Sequence, residues 1–462
     1  MTPTRRIACA LALSAAALSS TDAQNASVDS YRETAQRIIE ATRNDRFAWN
    51  RLAEMTDTFG HRLSGSPGLE AALRWSADEL KKDGLENVRL EKVMVPRWVR
   101  GKESVEIVEP FPSPLVMLGL GNSVGTPAGG VAAEVLVVKS FEELEKKSAE
   151  AKGRIVFYNV EYTSYGETVR YRGAGASRAA KLGAVAMLLR SVGPIGLRTP
   201  HTGSLRYDED VPKIPAAAIA AEDANRLQRI HDRGRRIVVR LKMEAQFLPD
   251  SESANVIGEI KGREKPDEIV LVGGHMDSWD AATGAMDDGG GAIATWDALR
   301  VIKKLGLRPR RTLRFVGFTN EENGGRGGQG YRDQHKDEIG KHVIAIESDN
   351  GAFRLRGFGF TGPAAGRARI EEIAKLLEPL GASEVGPSGG GADIAPLAQA
   401  ATALGLTVPT MSPTVDGSRY FIYHHTPADT VERLDPEEIA SVVAGVAVMA
   451  YVIADLPTRI VP

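Results

Sequence analysis

Three stretches of the chain share one texture. "EIVLVGGHMDS", "RTLRFVGFTNEE" and "HVIAIESDNG" are each a near-continuous apolar run that ends in acidic or histidine residues. Such runs are strands buried on both faces, as in a parallel sheet. Helical stretches such as "GGGAIATWDALRVIKKLG" separate them, and that alternation predicts a mostly parallel, mixed sheet flanked by helices, an α/β fold. Upstream, "SGSPGLEAALRWSADELKKDG" predicts an amphipathic helix with Ser66 as N-cap, Pro67 at its first position, Leu69, Leu73 and Leu80 on the apolar face, and Gly84 as its stop. From about Phe111 to Phe247 the texture changes to short strands ("VAAEVLVV", "RIVFYNV", "AVAMLLR", "RRIVVRLKM") and helices such as "SRAAKLG". This block shows no charged or histidine-rich cluster of catalytic type. The glycines of "YRGAGASRAAKLG" lack the full phosphate-loop fingerprint and predict a structural turn. The apolar run from Ile439 to Ala454 falls short of the roughly 20 residues of a bilayer span and predicts a buried C-terminal helix.

Length then bounds the organisation. A chain of 462 residues exceeds one ordinary core, so two domains, or one carrying an insert, are expected. Hydrophobic content of 42%, charged content of 26% and a formal net charge of -2 describe a soluble globular protein without a nucleic-acid partner. "MTPTRRIACALALSAAALSSTDAQ" reads as a signal peptide over residues 1–23, with basic Arg5 and Arg6, a short apolar stretch, and Thr21, Asp22 and Ala23 before cleavage. Export to the periplasm or the exterior is expected, and the arginine pair also fits a twin-arginine signal. Cys9, the only cysteine, lies in that segment, so the mature chain is expected to have neither disulfide nor thiolate chemistry. The expected divisions are 1–23, 24–110, an insert over 111–247, and 248–462.

The chemistry sits at the strand ends. In order come His275 and Asp277, Asp287 and Asp288, the adjacent Glu321 and Glu322, Asp349, and His425. Ligand sites in open α/β sheets form at the carboxyl ends of strands. Imidazoles and carboxylates without sulfur are the donor set of a catalytic zinc site, and five ligands with one shared suffice for two metals. Adjacent residues at a strand end point in different directions, so one glutamate can bind metal while its neighbour faces water as a base. A divalent cation turns the repulsion of the pair into attraction. Singly, each piece has a plainer reading: a solvated turn for the glutamates, a helix N-cap for Asp287 and Asp288, a core histidine for His275, surface polarity for His424 and His425, and a helix start at Asp429. Their coincidence on one side of one sheet favours a metal site.

"HMDSWD", "GAMDDGGG", "EENGG", "ESDNG" and "HHTPADT", in that order and at these intervals, resemble the co-catalytic dizinc exopeptidases, the family of aminopeptidase Y and glutamate carboxypeptidase. The likeness covers essentially the whole mature chain, including "GLGNSVGTPAGGVAAEVLVVKSFEELE" and "SVGPIGLRTPHTG", stretches expected to lie outside the active site. The resemblance implies a phosphorylase/hydrolase-like sheet, a protease-associated domain over the insert that walls the site, and a homodimer. It further implies two zinc ions per chain, with His275 and Asp349 on one, Glu322 and His425 on the other, and Asp287 bridging. Glu321 would be the general base, and Asp277 would hold the His275 imidazole and fix its tautomer. The expected activity is that of a secreted or periplasmic metallo-exopeptidase hydrolysing dipeptides or short peptides. Gly290 stands where many relatives carry serine, and "GADIAPL" has no histidine after Asp393. For a substrate carboxylate, Arg419 is the candidate partner or else a surface arginine; for a free amine, Asp393; Tyr420 and His424 complete the candidate substrate contacts. Alternatives are an aminopeptidase with the same metal core, hydrolysis of another amide, and a non-catalytic binding protein, although such a protein should lack ligands or base.

Overall fold

The three apolar runs become neighbouring strands of an eight-stranded sheet in the computed structural model, which describes residues 28–461. The expected signal peptide and Cys9 lie outside the described residues. Across the sheet the strands run Glu86–Val99, Gln246–Ile260, Arg311–Phe318, Lys265–His275, His342–Glu347, Thr410–Val415, Leu355–Thr361 and Glu384–Gly386. Lys265–His275 pairs in parallel with both neighbours, setting His275 opposite Phe318 and Gly273 opposite Glu347. The polar residues after each run therefore emerge along one edge. Gln246–Ile260 and Leu355–Thr361 pair antiparallel with their inner neighbours, which makes the sheet mixed.

Helices cover both faces, and two of them have almost no polar side to expose. Every residue of Gly290–Lys304 from Gly290 to Ile302 is buried. Pro436–Asp455 has the length and apolar composition to cross a membrane, yet it is buried within the fold from Ile439 to Asp455, save a half-buried Ser441. The expected helix runs Pro67–Lys82, with the Ser66 hydroxyl accepting the Leu69 N–H and with Leu69, Leu73 and Leu80 buried. Such a cap contributes about 1 kcal/mol.

A second eight-stranded sheet takes its strands from between Glu103 and Met243 and has a hydrophobic cluster on each face. It joins the first through the long antiparallel pair Glu86–Val99 and Gln246–Ile260. One expectation fails here. Gly173 and Gly175 lie inside the helix Tyr165–Lys181 rather than in a turn. A Cβ at Gly175 would stand 2.9 Å from the Tyr158 ring, whose hydroxyl donates to the Gly175 carbonyl, so this glycine serves close packing instead of a bend.

Candidate active site

His275 closes its strand with Nδ1 2.9 Å from the main-chain oxygen of Asp277, a bond that places the proton on Nδ1 and turns Nε2 inward. Nε2 stands 3.3 Å from Asp287 and 3.5 Å from Asp349. The other Asp287 oxygen is 3.1 Å from Nε2 of both His424 and His425, and His425 Nε2 is 3.0 Å from Glu322. Asp287 is thus common to two groups, His275/Asp287/Asp349 and Asp287/Glu322/His425, each with its ligand atoms within 4.8 Å of one another.

These approaches lack hydrogen-bond geometry at several atoms. His275 Nε2, Asp287 Oδ2 and Glu322 Oε1 are buried and have no hydrogen-bond partner among the described residues. Leaving such groups unpaired costs roughly 1–3 kcal/mol each. Three orphaned donor atoms converging from imidazole and carboxylate, without sulfur, fit divalent metal of the zinc type. The charges respond as a crowded acid cluster must. Burial raises Glu321 well above the carboxylate range, and Asp349 and Glu322 add to it, outweighing His275. Burial acts the same way on Asp287, but His424, His275 and His425 hold it well below that range.

The surrounding groups fix the cluster. The Asp277 carboxylate accepts the N–H groups of Glu321 at 3.1 Å and Glu322 at 3.3 Å. It lies 3.7 Å from His275 Nδ1, so the imidazole bond expected of this side chain is made by its main-chain oxygen instead. Asp288 accepts the His275 N–H at 3.0 Å, and a Cβ at Gly274 or Gly291 would collide with its carboxylate. Asp429 does not start a helix by capping it. Its carboxylate accepts the N–H groups of Met286 and Asp287 instead, and burial pushes it up to about 7. Beneath the acids lies Arg62, fully buried and donating to the carbonyls of Met276, Thr283 and Gly284. Burial lowers it to about 10, which leaves it cationic at neutral pH.

The second sheet's segment supplies residues that the sequence did not reveal. Arg172, on the helix Tyr165–Lys181, places Nη1 3.2 Å from His201 Nε2 and 3.4 Å from His425 Nδ1. The His201 ring centroid is 5.0 Å from those of both His424 and His425. "SVGPIGLRTPHTG" thus reaches the site through His201 and Thr202, contrary to expectation. A cleft of about 720 Å³ has Glu321, Glu322 and Asn323 on one side and Asn122, Arg170 and Arg206 on the other.

The candidate substrate contacts fare unevenly. Arg419 is ion-paired with Glu438, and its guanidinium lies 4.6 Å from the Phe353 ring centroid, so it is not free for a carboxylate. His424 stacks on His425 at 3.7 Å, and burial with the neighbouring His425 pushes it down to about 4. The Tyr420 ring stands 4.9 Å from that of His424. Asp393 is buried with both carboxylate oxygens unpartnered, and burial beside Glu347 and Glu321 raises it well above the carboxylate range.

Residues 255–450 match the family model described as peptidase family M28. The chain is 45% identical over 432 residues to carboxypeptidase Q of Mus musculus, covering 93% of this chain and 91% of that protein. Carboxypeptidase Q of Homo sapiens is 47% identical over 409 residues, 88% of this chain and 85% of the human protein. A peptidase M28 precursor from Shewanella amazonensis superposes with a TM-score of 0.90 at 36% identity, covering 94% of this chain and 99% of that one. A zinc aminopeptidase from Bacillus subtilis shares the fold at 20% identity, with a TM-score of 0.67 over 89% of this chain and 96% of that one.

Proposed function

The chain belongs to peptidase family M28 and is a metallo-exopeptidase, and on that premise we propose that it holds two zinc ions and cleaves dipeptides or short peptides in the manner of carboxypeptidase Q. His275 and Asp349 would hold one ion, Glu322 and His425 the other, and Asp287 both; the observation that carries this reading is the pair of donor groups sharing Asp287. Bound there, the ions would lower the pKa of a water and polarise the scissile carbonyl.

The chain's own residues do the rest. Glu321 lines the cleft beside Glu322 and is held by its N–H to Asp277, which aims the carboxylate without engaging it. It takes the proton from the attacking water and returns it to the nitrogen of the leaving amine. Its burial beside the proposed ligands keeps the carboxylate within the cleft, where a proton acceptor is needed. The segment of about 111–247 serves as a protease-associated wall of the cleft, to which it contributes Asn122, Arg170 and Arg206. A second reading, an aminopeptidase, is favoured by the engagement of Arg419 with Glu438 and by the unpartnered Asp393 carboxylate.

The test is metal content together with hydrolysis of a free dipeptide, its C-terminally amidated form and its N-acetylated form, with Glu321→Gln as control. About two zinc per chain, cleavage of the free dipeptide alone, and a mutant that keeps metal but loses about 10²–10⁴-fold in kcat are expected. Cleavage of the amidated form would establish the aminopeptidase, and full zinc with no cleavage of any form would sink both readings.

A further inference from the structure

Three groups converge on the side of His425 that faces away from the acids. Its Nδ1 lies 3.4 Å from the Thr202 carbonyl oxygen and 3.4 Å from Arg172 Nη1. Its own carbonyl accepts the Thr202 N–H at 2.9 Å. Arg172 also donates to the Thr202 oxygen at 3.3 Å and meets His201 Nε2 at 3.2 Å. For Nε2 to offer a lone pair to the ion it would hold with Asp287 and Glu322, the His425 proton must sit on Nδ1 and find an acceptor. A guanidinium cannot accept, so the Thr202 oxygen takes that role. Arg172 shares the same oxygen and so sets where it lies. The chain makes room for this: Gly203 has φ +124°, and a Cβ there would fall 2.2 Å from Arg172 Nη1.

We propose that Arg172 is a positioning residue that acts on His425 through the Thr202 carbonyl, so that metal affinity and the seating of the second sheet on the first are one linked equilibrium. The inference rests on the dizinc reading. Because linkage is reciprocal, what Arg172 gives to zinc, zinc gives back to the contact. Arg172 lies 7% exposed between Tyr165, His201 and His425, with its guanidinium carbon 5.6 Å from the Tyr165 ring centroid, so it is held on several sides rather than reaching into open solvent.

The experiment compares the full chain with Arg172→Met and Arg172→Lys. Zinc affinity is read by competition with a chromogenic chelator, kcat and KM on the free and the amidated dipeptide, and amide exchange of residues 201–206 with and without zinc. Arg172→Met is expected to weaken the looser zinc by about 10–100-fold and to lower kcat with KM changed less than about twofold. Arg172→Lys, which keeps the charge and reaches one acceptor at a time, should recover part of the loss. In the wild type, zinc should slow exchange over 201–206; in Arg172→Met it should not. Unchanged zinc affinity in both variants overturns the proposal, and a rise in KM confined to the free carboxylate would make Arg172 a substrate contact instead. If neither variant folds, the wild-type exchange decides: no added protection on zinc binding sinks the linkage. A wild type that binds zinc tightly but cleaves nothing defeats the proposed function while leaving the affinity comparison to judge Arg172.

Discussion

The edge of the first sheet and the face that the second sheet turns toward it build one site by opposite means. Along the edge, His275, Glu321 and Asp349 come at or just beyond strand ends, and His275 and Glu321 are supported by Asp288 and Asp277 of the same edge. On the opposing face, Arg172 and His201 come from a helix and a loop that are both more than 200 positions from His425 in sequence. The edge carries excess negative charge, compensated from below by Arg62. The opposing face sets the His201 imidazole against the Arg172 guanidinium, with Arg170 and Arg206 along the cleft. On the reading proposed above, one region supplies every ligand and the other governs how one of them is presented.

Substituting the residue common to both donor groups sharpens the contrast most. Asp287→Ala should reduce bound zinc to about one ion or less per chain and lower kcat/KM by about 10³-fold or more, read by metal analysis and steady-state kinetics. Retention of two ions would show that the edge does not work through a shared carboxylate. Gly203→Ala touches no ligand. The backbone conformation at φ +124° and the collision with Arg172 should cost about 1–3 kcal/mol in thermal or urea unfolding, and activity should fall by roughly tenfold as the Thr202 carbonyl shifts. If stability falls while zinc affinity and kcat hold, the second region is a wall and nothing more.

The smallest effect separates the site from the rest of the edge sheet. His342 is buried, with Nδ1 donating to the Glu338 carbonyl and Nε2 accepting the Tyr331 hydroxyl proton, and burial with the Arg314 charge pushes it down to about 4. Its folded pKa lies below the unfolded value, so the unfolded chain binds more protons between them. The stability it contributes is therefore present above about pH 6.5 and is lost as pH falls toward 4, an effect on the order of 2 kcal/mol. Urea unfolding at pH 7 and 4.5 should show this, and His342→Gln should flatten the acid slope while leaving metal content unchanged. An unchanged slope would locate the acid sensitivity in the site instead.

Sequence by itself determined the local terms. Continuous apolar runs specify buried strands, and the Ser66-Pro67 start and the Leu69, Leu73 and Leu80 spacing specify a helix, because both rest on interactions within a few residues. The gathering of His275, Glu321 and Asp349 was legible for another reason: each follows a buried apolar run, and parallel pairing of those runs carries all three to one edge. Tertiary structure alone decided the rest. Arg419 stood near His425 in sequence, yet an ion pair with Glu438 removes it, while Arg172, more than 250 positions away, lies against that ring. The glycines of "YRGAGASRAAKLG" gave no sign of the Tyr158 ring that only Gly175 lets approach, and Arg62 gave no sign of the acids above it. Periodicity and capping act along the chain and are written in it. Burial, compensation of charge and the choice of a hydrogen-bond acceptor depend on which surfaces meet, and that is fixed only when elements distant in the chain pack together.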